Sequence, residues 1–227
     1  IKGKKLKGGK VSIPADTSSQ YISALLMIAP TLEEGLILEL IGEIVSLPYI
    51  LMTLNLMKYF GVESTLEGNI ITVKNQEYQA KSFFIEADWS AASYFYSMTF
   101  LSDDAEITLN GLQQDSVQGD AVIADIFKDW VETYYQENSI VLKKKKADLP
   151  KIFQFDFLEC PDLAQTVLTA LAAKKINGNF QGLKTLLIKE TDRVAALDNE
   201  LSKYGAHLNG KVSENFWKLT SDQFSPD

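Results

Sequence analysis

KVSIPADTSSQYISALLMIAP at residues 10–30 runs on into GLILELI at 35–41, and together they spell strand, helix, strand. Lys10–Pro14 is a short extended run. From Ser18 to Ala29 the apolar residues Ile22, Leu25, Leu26 and Ile28 recur at helical spacing. Gly35–Ile41, GLILELI, has the pattern of a buried strand. Ser46 opens a second helix with Pro48 in its first turn, where a missing N–H is tolerated. That helix carries Ile50, Leu51, Leu54, Leu56, Met57 and Phe60, and Gly61 stops it. Val62–Leu66 and Ile70–Val73 form a hairpin around Glu67-Gly68-Asn69. The order is βαβαββ.

The same order is read twice more. Phe83–Glu86 reads as a strand, Asp88–Thr99 as a helix, Glu106–Leu109 as a strand and Asp120–Tyr134 as a helix. Strands near Ser139–Lys143 and Lys151–Phe155 close this second unit. From Phe155 to about Thr220, Asp162–Lys174 reads as a helix, Thr185–Ile188 as a strand, and Thr191–Tyr204 as a helix stopped by Gly205. Ala206–Leu208 and Phe216–Leu219 complete the third. The first-helix starts Ser19, Ser90 and Asp162 are 71 and 72 residues apart, and the second-helix starts Ser46, Ser116 and Glu190 are 70 and 74 apart. Such regularity predicts an α/β protein of three βαβαββ units, each with a parallel pair, a crossover helix and a hairpin edge. The apolar second helices are expected to lie buried between sheets.

Composition removes several function classes. The 227 residues include 22 Lys and Arg against 30 Asp and Glu, a formal charge of −8, which argues against a general nucleic-acid binder. No window is apolar enough to span a bilayer. A single cysteine, Cys160, excludes an internal disulfide framework and a cysteine-built zinc site. A single histidine, His207, leaves acid–base chemistry to carboxylates, Lys, Tyr or Arg. Ile1 rather than Met opens the chain with no signal peptide before the globular pattern. This points to a processed start or a piece of a longer chain, and to a cytoplasmic home. The Lys143–Lys146 run between two strands reads first as a solvated turn and only second as a phosphate site.

Polar clusters stand at helix N-termini: Thr17-Ser18-Ser19-Gln20, then Pro161-Asp162, then Lys189-Glu190-Thr191-Asp192-Arg193. Free N–H groups and the positive dipole end suit phosphate or carboxylate ligands there. Ser, Thr and Asp also serve as plain N-caps, and for any one cluster alone capping is the simpler reading. The last cluster keeps both readings open. Lys189 and Arg193 are i and i+4 and share a face if the helix begins early. Glu190 between them is then an acid–base group facing an anionic substrate. Otherwise this is a charged helix start with Asp192 as the dipole partner.

These residues resemble a known family, the 5-enolpyruvylshikimate-3-phosphate synthases, or 3-phosphoshikimate 1-carboxyvinyltransferases. The resemblance is carried by Thr17–Gln20 with Ile22–Leu26, Ser46–Ile50, Phe60-Gly61-Val62, Asp88–Phe95, Ser116–Asp120, Pro161-Asp162 and Ile188–Arg193. The motifs follow family order and cover nearly the whole chain. The resemblance implies transfer of the enolpyruvyl group of phosphoenolpyruvate to the 5-hydroxyl of shikimate 3-phosphate, with release of phosphate, in chorismate and aromatic amino-acid biosynthesis. It implies no metal and no organic cofactor. Ser18, Ser19, Gln20, Ser46, Tyr49, Asp162 and Lys189 are then similar to shikimate 3-phosphate ligands. Gln20, Glu190 and Arg193 resemble phosphoenolpyruvate ligands. Asp162 matches the proton acceptor for the 5-hydroxyl, and Glu190 the group exchanging a proton with the methylene carbon. Asp88, Ser90, Ser116 and Asp120 match family motifs and read as caps and inter-unit hydrogen bonds. Cys160 and His207 read as bystanders.

Some positions depart from the pattern. Leu187 stands where the family often has arginine, and Thr185 where an amide ligand is common. The family's glycine-rich phosphoenolpyruvate loop, its early lysine and arginine and its late arginine and lysine have no counterpart here. Because the family has two lobes of three units each, the resemblance makes this chain a central fragment. Residues 1–86 would be the last unit of one lobe and 87–227 two units of the other, changing unit near 155. The fragment alone is expected to be inactive, with the missing remainder of the polypeptide as its partner. Two alternatives stay open: an enzyme like UDP-N-acetylglucosamine enolpyruvyl transferase, and a non-catalytic repeat module that binds anions.

Overall fold

A computed structural model describes residues 3–189 and 191–225. It divides the chain into two compact units, Ile1–Phe84 and Ile85–Asp227. The first unit runs β1 (Gly9–Pro14), α1 (Ser19–Ile28), β2 (Leu36–Ile41), α2 (Leu47–Tyr59), β3 (Ser64–Glu67) and β4 (Ile70–Val73). Its sheet has the order β1-β2-β4-β3. β1 and β2 are parallel, with Gly9 opposite Leu36, and both other pairs are antiparallel. Parallel neighbours need a crossover, and α1 provides it. Ala15, Ile22, Leu26, Leu38, Leu40, Ile50, Met57 and Ile71 form its buried core. Every element read here from the sequence is present.

The second unit continues with α3 (Trp89–Leu101), β5 (Glu106–Asn110), α4 (Ile123–Ile126), β6 (Val131–Gln136) and β7 (Ser139–Lys144). After these come β8 (Ile152–Asp156), α5 (Ala164–Ala173), β9 (Asn177–Gln181), α6 (Arg193–Ser202), β10 (His207–Lys211) and β11 (Phe216–Thr220). The last six elements repeat the first unit's topology. Their sheet order is β8-β9-β11-β10, again with one parallel pair and two antiparallel ones. The middle stretch builds a three-stranded sheet, β5-β7-β6. The strand expected at Phe83–Glu86 does not form, so two full βαβαββ units stand around one αβαββ stretch.

Four further expectations are corrected. The helix read at Asp120–Tyr134 ends at Ile126, and Val131 to Gln136 is a strand paired with β7. Lys151–Phe155 does not close the middle sheet; as β8 it opens the next one, parallel to β9. Thr185–Ile188 lies in a 3-10 turn, Lys184–Ile188, and the strand of that repeat is β9. In the last repeat the first helix is the buried one. α5 buries Ala164, Val167, Leu168 and Leu171 completely, whereas α6 buries only Val194 and Leu201. α5 is apolar over most of its surface, with Thr169 exposed, and it packs on α3 with Ser93 Oγ donating to Thr166 Oγ1 at 3.2 Å.

Glu86 anchors the start of this unit. One carboxylate oxygen accepts from Trp89 Nε1 at 2.8 Å and from the Gln113 amide at 2.9 Å. The other accepts from Ser116 Oγ at 2.7 Å and Gln118 Nε2 at 3.1 Å. A charge with four donors is satisfied, and it ties the entering chain to the Ser116–Gln118 turn.

Candidate functional site

In the first unit the polar residues gather at the N-termini of α1 and α2. Ser18 is the residue before α1, and its side chain makes no capping bond. Ser46 holds the same place before α2 with φ +57°, in the left-handed region, and it too makes no side-chain cap. Ser46 is only 5% exposed. A serine in that conformation is strained by about 1–3 kcal/mol and gains no cap bond in return. The simple capping reading therefore fails at Ser18, and Ser46 does not cap its helix either. Ser19, Gln20 and Tyr49 line one cavity of about 730 Å³ between α1 and α2. Its other walls include Met27, Met52, Leu56 and Phe60, so the cavity as a whole is no anion pocket. Ser23 Oγ and Thr53 Oγ1, 2.7 Å apart, tie the two helices together beside it.

In the second unit Asp162 lies in the short turn Pro161–Leu163 that leads into α5. Arg193 NH1 donates to Asp162 Oδ1 at 3.1 Å, and Lys189 Nζ stands 3.6 Å from the same oxygen. All three side chains are partly buried, 31% exposed for Asp162, 15% for Lys189 and 26% for Arg193. The two cations do not meet on one helix face, because α6 begins only at Arg193. They converge because the 3-10 turn before Lys189 and the start of α6 both face the Asp162 turn. Asp192 caps α6, accepting from the Ala195 amide at 2.9 Å. The dipole reading thus holds for Asp192, while Lys189 and Arg193 are drawn to Asp162. Glu190 lies outside the described residues. Thr185 Oγ1, in the turn that delivers Lys189, is buried with no hydrogen-bond partner.

The structural readings of the neighbouring motifs are visible as bonds. Asp88 caps α3, accepting from the Ser90 amide at 2.8 Å and the Ala91 amide at 3.3 Å. Ser90 Oγ donates to Asp120, itself 2% exposed. Burial, and then nearby carboxylates led by Asp120, push the Cys160 thiol up to about 12, so it has little thiolate character near neutrality. His207 Nδ1 is 3.8 Å from Asp198 on the surface. Among the described residues no three His, Cys, Asp or Glu side chains converge as a metal site, and no helix is long and apolar enough to cross a membrane. Sequence reading missed Gly182 and the Glu86 anchor. Gly182 carries φ +76° at the end of β9 and touches the 156–158 turn that leads to Asp162. Its signal was a glycine straight after an unrecognised strand.

A chain of this topology, with cations gathered on a carboxylate at a helix start, is an α/β protein of mixed sheets whose solved neighbours are enolpyruvyl transferases. Among solved structures it is similar to the EPSP synthase of Acinetobacter baumannii, with a TM-score of 0.69 at 18% identity, over 99% of this chain and 51% of that one. It is also similar to the enolpyruvyl transferase NikO of Streptomyces tendae, with a TM-score of 0.63 at 9% identity, over 94% of this chain and 51% of that one. At such identities these likenesses show the fold alone. In sequence it is 46% identical to a Bacteroides fragilis 3-phosphoshikimate 1-carboxyvinyltransferase, over 93% of this chain and 52% of the relative. A Mannheimia succiniciproducens protein of the same name is 34% identical, over 99% of this chain and 52% of its own length. The family model described as EPSP synthase (3-phosphoshikimate 1-carboxyvinyltransferase) matches residues 1–223. The chain belongs to the EPSP synthase family. It spans about half the length of the curated relatives it matches.

Proposed function

We propose that the complete polypeptide carrying this chain transfers the enolpyruvyl group of phosphoenolpyruvate to the 5-hydroxyl of shikimate 3-phosphate and releases phosphate, in the cytoplasm. The observation that carries this reading is the Asp162 carboxylate set between Lys189 and Arg193. Two cations on one carboxylate are placed to meet an incoming anion while the carboxylate takes a proton from a hydroxyl. In the addition step the 5-hydroxyl oxygen bonds to C2 of phosphoenolpyruvate, Asp162 takes the hydroxyl proton, and Glu190 gives a proton to the methylene carbon. In the elimination step the methyl group returns a proton to Glu190, the C2–phosphate oxygen bond breaks, and the proton taken by Asp162 passes to the departing phosphate. Arg193, with its planar fork, holds the phosphoenolpyruvate anion. Lys189 serves the shikimate 3-phosphate side.

Ser18, Ser19 and Ser46 are assigned to the 3-phosphate, with Gln20 and Tyr49 beside it. The support is that the Ser18 and Ser46 side chains are not spent on capping, which leaves their hydroxyls, and at α1 the amides before Tyr21, for an anion. In the second unit Thr185 is a further candidate ligand, because a buried hydroxyl without a partner is costly unless a ligand supplies one. We assign the two compact units to different lobes of the complete enzyme. The remainder of the polypeptide then supplies the other anion clamps, and this chain alone has little turnover.

Phosphate release from phosphoenolpyruvate tests the reading. With the complete polypeptide it should require shikimate 3-phosphate and not occur with a UDP-sugar, and Asp162→Asn should slow it at least about a hundredfold. Release with the UDP-sugar alone would move the protein to nucleotide-sugar chemistry. Binding of shikimate 3-phosphate without any release would leave an anion-binding module.

A further inference from the structure

The Lys143–Lys146 run divides in the folded chain. Lys143 is taken, its Nζ 2.9 Å from Glu106 Oε2 across the β5–β7 pair. Lys144, Lys145 and Lys146 turn instead into a cleft of about 720 Å³, where Lys174 from the end of α5 joins them. Three of the four ammonium groups are held by backbone carbonyls. Lys144 Nζ donates to the Phe100 carbonyl at 2.5 Å, Lys174 Nζ to the Leu101 carbonyl at 2.9 Å, and Lys145 Nζ to the Lys128 carbonyl at 2.9 Å. Among the described residues five lysines, Lys10, Lys143, Lys189, Lys203 and Lys211, have a carboxylate partner, and most of the others have none. Among the described residues none of the four cleft lysines has one, in a chain that carries eight more negative charges than positive. Asp103 and Asp148 share the cleft wall without pairing with them, so four positive charges less two negative leave it at +2.

Capping explains part of this arrangement. The last carbonyls of α3 attract Lys144 and Lys174, as helix C-termini attract cations. But an ammonium has three N–H donors, and each bond uses one. Capping also leaves Lys146 unexplained. Lys144 and Lys174 stand over one ring, 5.0 and 6.0 Å from the centre of Phe100. Burial, and then the Lys174 charge, hold the Lys144 ammonium below the usual lysine range. An anion between them would remove that repulsion.

We propose that this cleft binds a compact multivalent oxyanion, the diphosphate of a soluble metabolite, at a site separate from Asp162. Asp162 precedes the first residue of α5 and Lys174 follows the last. A ten-residue helix therefore separates them by about 15 Å. Fixed backbone bonds preorganise the donors, and the local field is positive although the net charge is negative.

Calorimetric titration of the complete polypeptide with inorganic pyrophosphate at low ionic strength tests this. Wild type and Arg193→Ala should both show a binding event that Lys145→Glu/Lys146→Glu lacks, weakened about tenfold by Lys146→Ala and further by added salt. Lys145 and Lys146 are exposed, so these variants should fold, as unchanged tryptophan emission would confirm. No pyrophosphate binding by the wild type overturns the proposal. So does binding that survives Lys145→Glu/Lys146→Glu but is lost in Arg193→Ala, which would place the anion beside Asp162. Binding of heparin without pyrophosphate also overturns it, making the cleft a general polyanion surface.

Discussion

Gly182→Ala should unsettle the second unit far more than the loss of a glycine usually does. Gly182 has φ +76°, and a Cβ there would lie 2.1 Å from the Leu158 amide nitrogen and 2.5 Å from both Asp156 Oδ1 and the Phe157 carbonyl carbon. Two of these three atoms are backbone and cannot rotate away. The third already accepts from the Leu158 amide at 3.0 Å, closing the turn that leads to Asp162. Left-handed strain costs about 1–3 kcal/mol and overpacking against backbone about another 1–3, so the expected loss is about 2–6 kcal/mol. Gly111→Ala is the control in the same unit. It has φ +86°, but its nearest neighbour is the Ala87 methyl at 3.1 Å, and the next atom is at 3.7 Å. It should lose about 1–2 kcal/mol, mostly from the dihedral. Urea unfolding followed by tryptophan emission reads this unit alone, because Trp89, Trp130 and Trp217 are the chain's three tryptophans and all lie buried in it. The midpoint should fall further for Gly182→Ala, by the equivalent of about 2 kcal/mol. Equal losses in the two variants would refute the close-approach argument.

Asp88→Ala should cost about 1 kcal/mol in the same assay, because two α3 amides lose their acceptor. Ser18→Ala, followed by circular dichroism of the first unit, should cost less than about 0.5 kcal/mol, because no cap bond is lost; a cost equal to that of Asp88→Ala would show that Ser18 caps α1 after all. Ser46→Gly should stabilise the first unit by about 1 kcal/mol by relieving its left-handed strain, and weaken shikimate 3-phosphate binding by the complete polypeptide; a loss of stability would contradict the strain. Cys160 should react slowly with a thiol reagent at pH 8 and rapidly once urea unfolds the unit. Its raised folded value means that its contribution to stability is full below pH 9 and is lost as pH rises from 9 to about 12, so unchanged urea midpoints across that window would count against its burial.

The first unit was legible because its two periods are clean. Helical spacing in α1 and α2 alternates with short apolar strands, and glycines mark the breaks. The second unit hid its strands for physical reasons. Asn177–Gln181 reads NGNFQ, a poor strand by propensity, yet β8 on one side and β11 on the other supply its ladder. Thr185–Ile188 has the apolar run of a strand, but so short a run is ambiguous, and here it tightens into a 3-10 turn. Ile123, Ile126, Phe127 and Trp130 have helical spacing and are all buried, which drew the helix past its end. Beyond them Val131, Thr133, Tyr134 and Tyr135 favour strand and pair with β7.

The candidate site divides along a different line. Residue type alone does not separate a helix cap from a ligand, since Ser and Asp serve both. The bonds of the folded chain separate them. Asp88 and Asp192 accept the amides of their own helices and are accounted for. Ser18 and Ser46 accept none, and Ser46 sits in a conformation that glycine would hold more cheaply. A hydroxyl that neither caps its helix nor eases its backbone adds nothing to folding at that place. At α1 the first-turn amides before Tyr21 would be donors for an anion, whereas at α2 Pro48 has no N–H and the Tyr49 amide donates to the Ser46 carbonyl. Lys189 and Arg193 follow the same logic from the opposite charge. Arg193 bonds to Asp162 and Lys189 stands 3.6 Å from it, and an anion arriving at the same place would compete for those cations and release the carboxylate as a base.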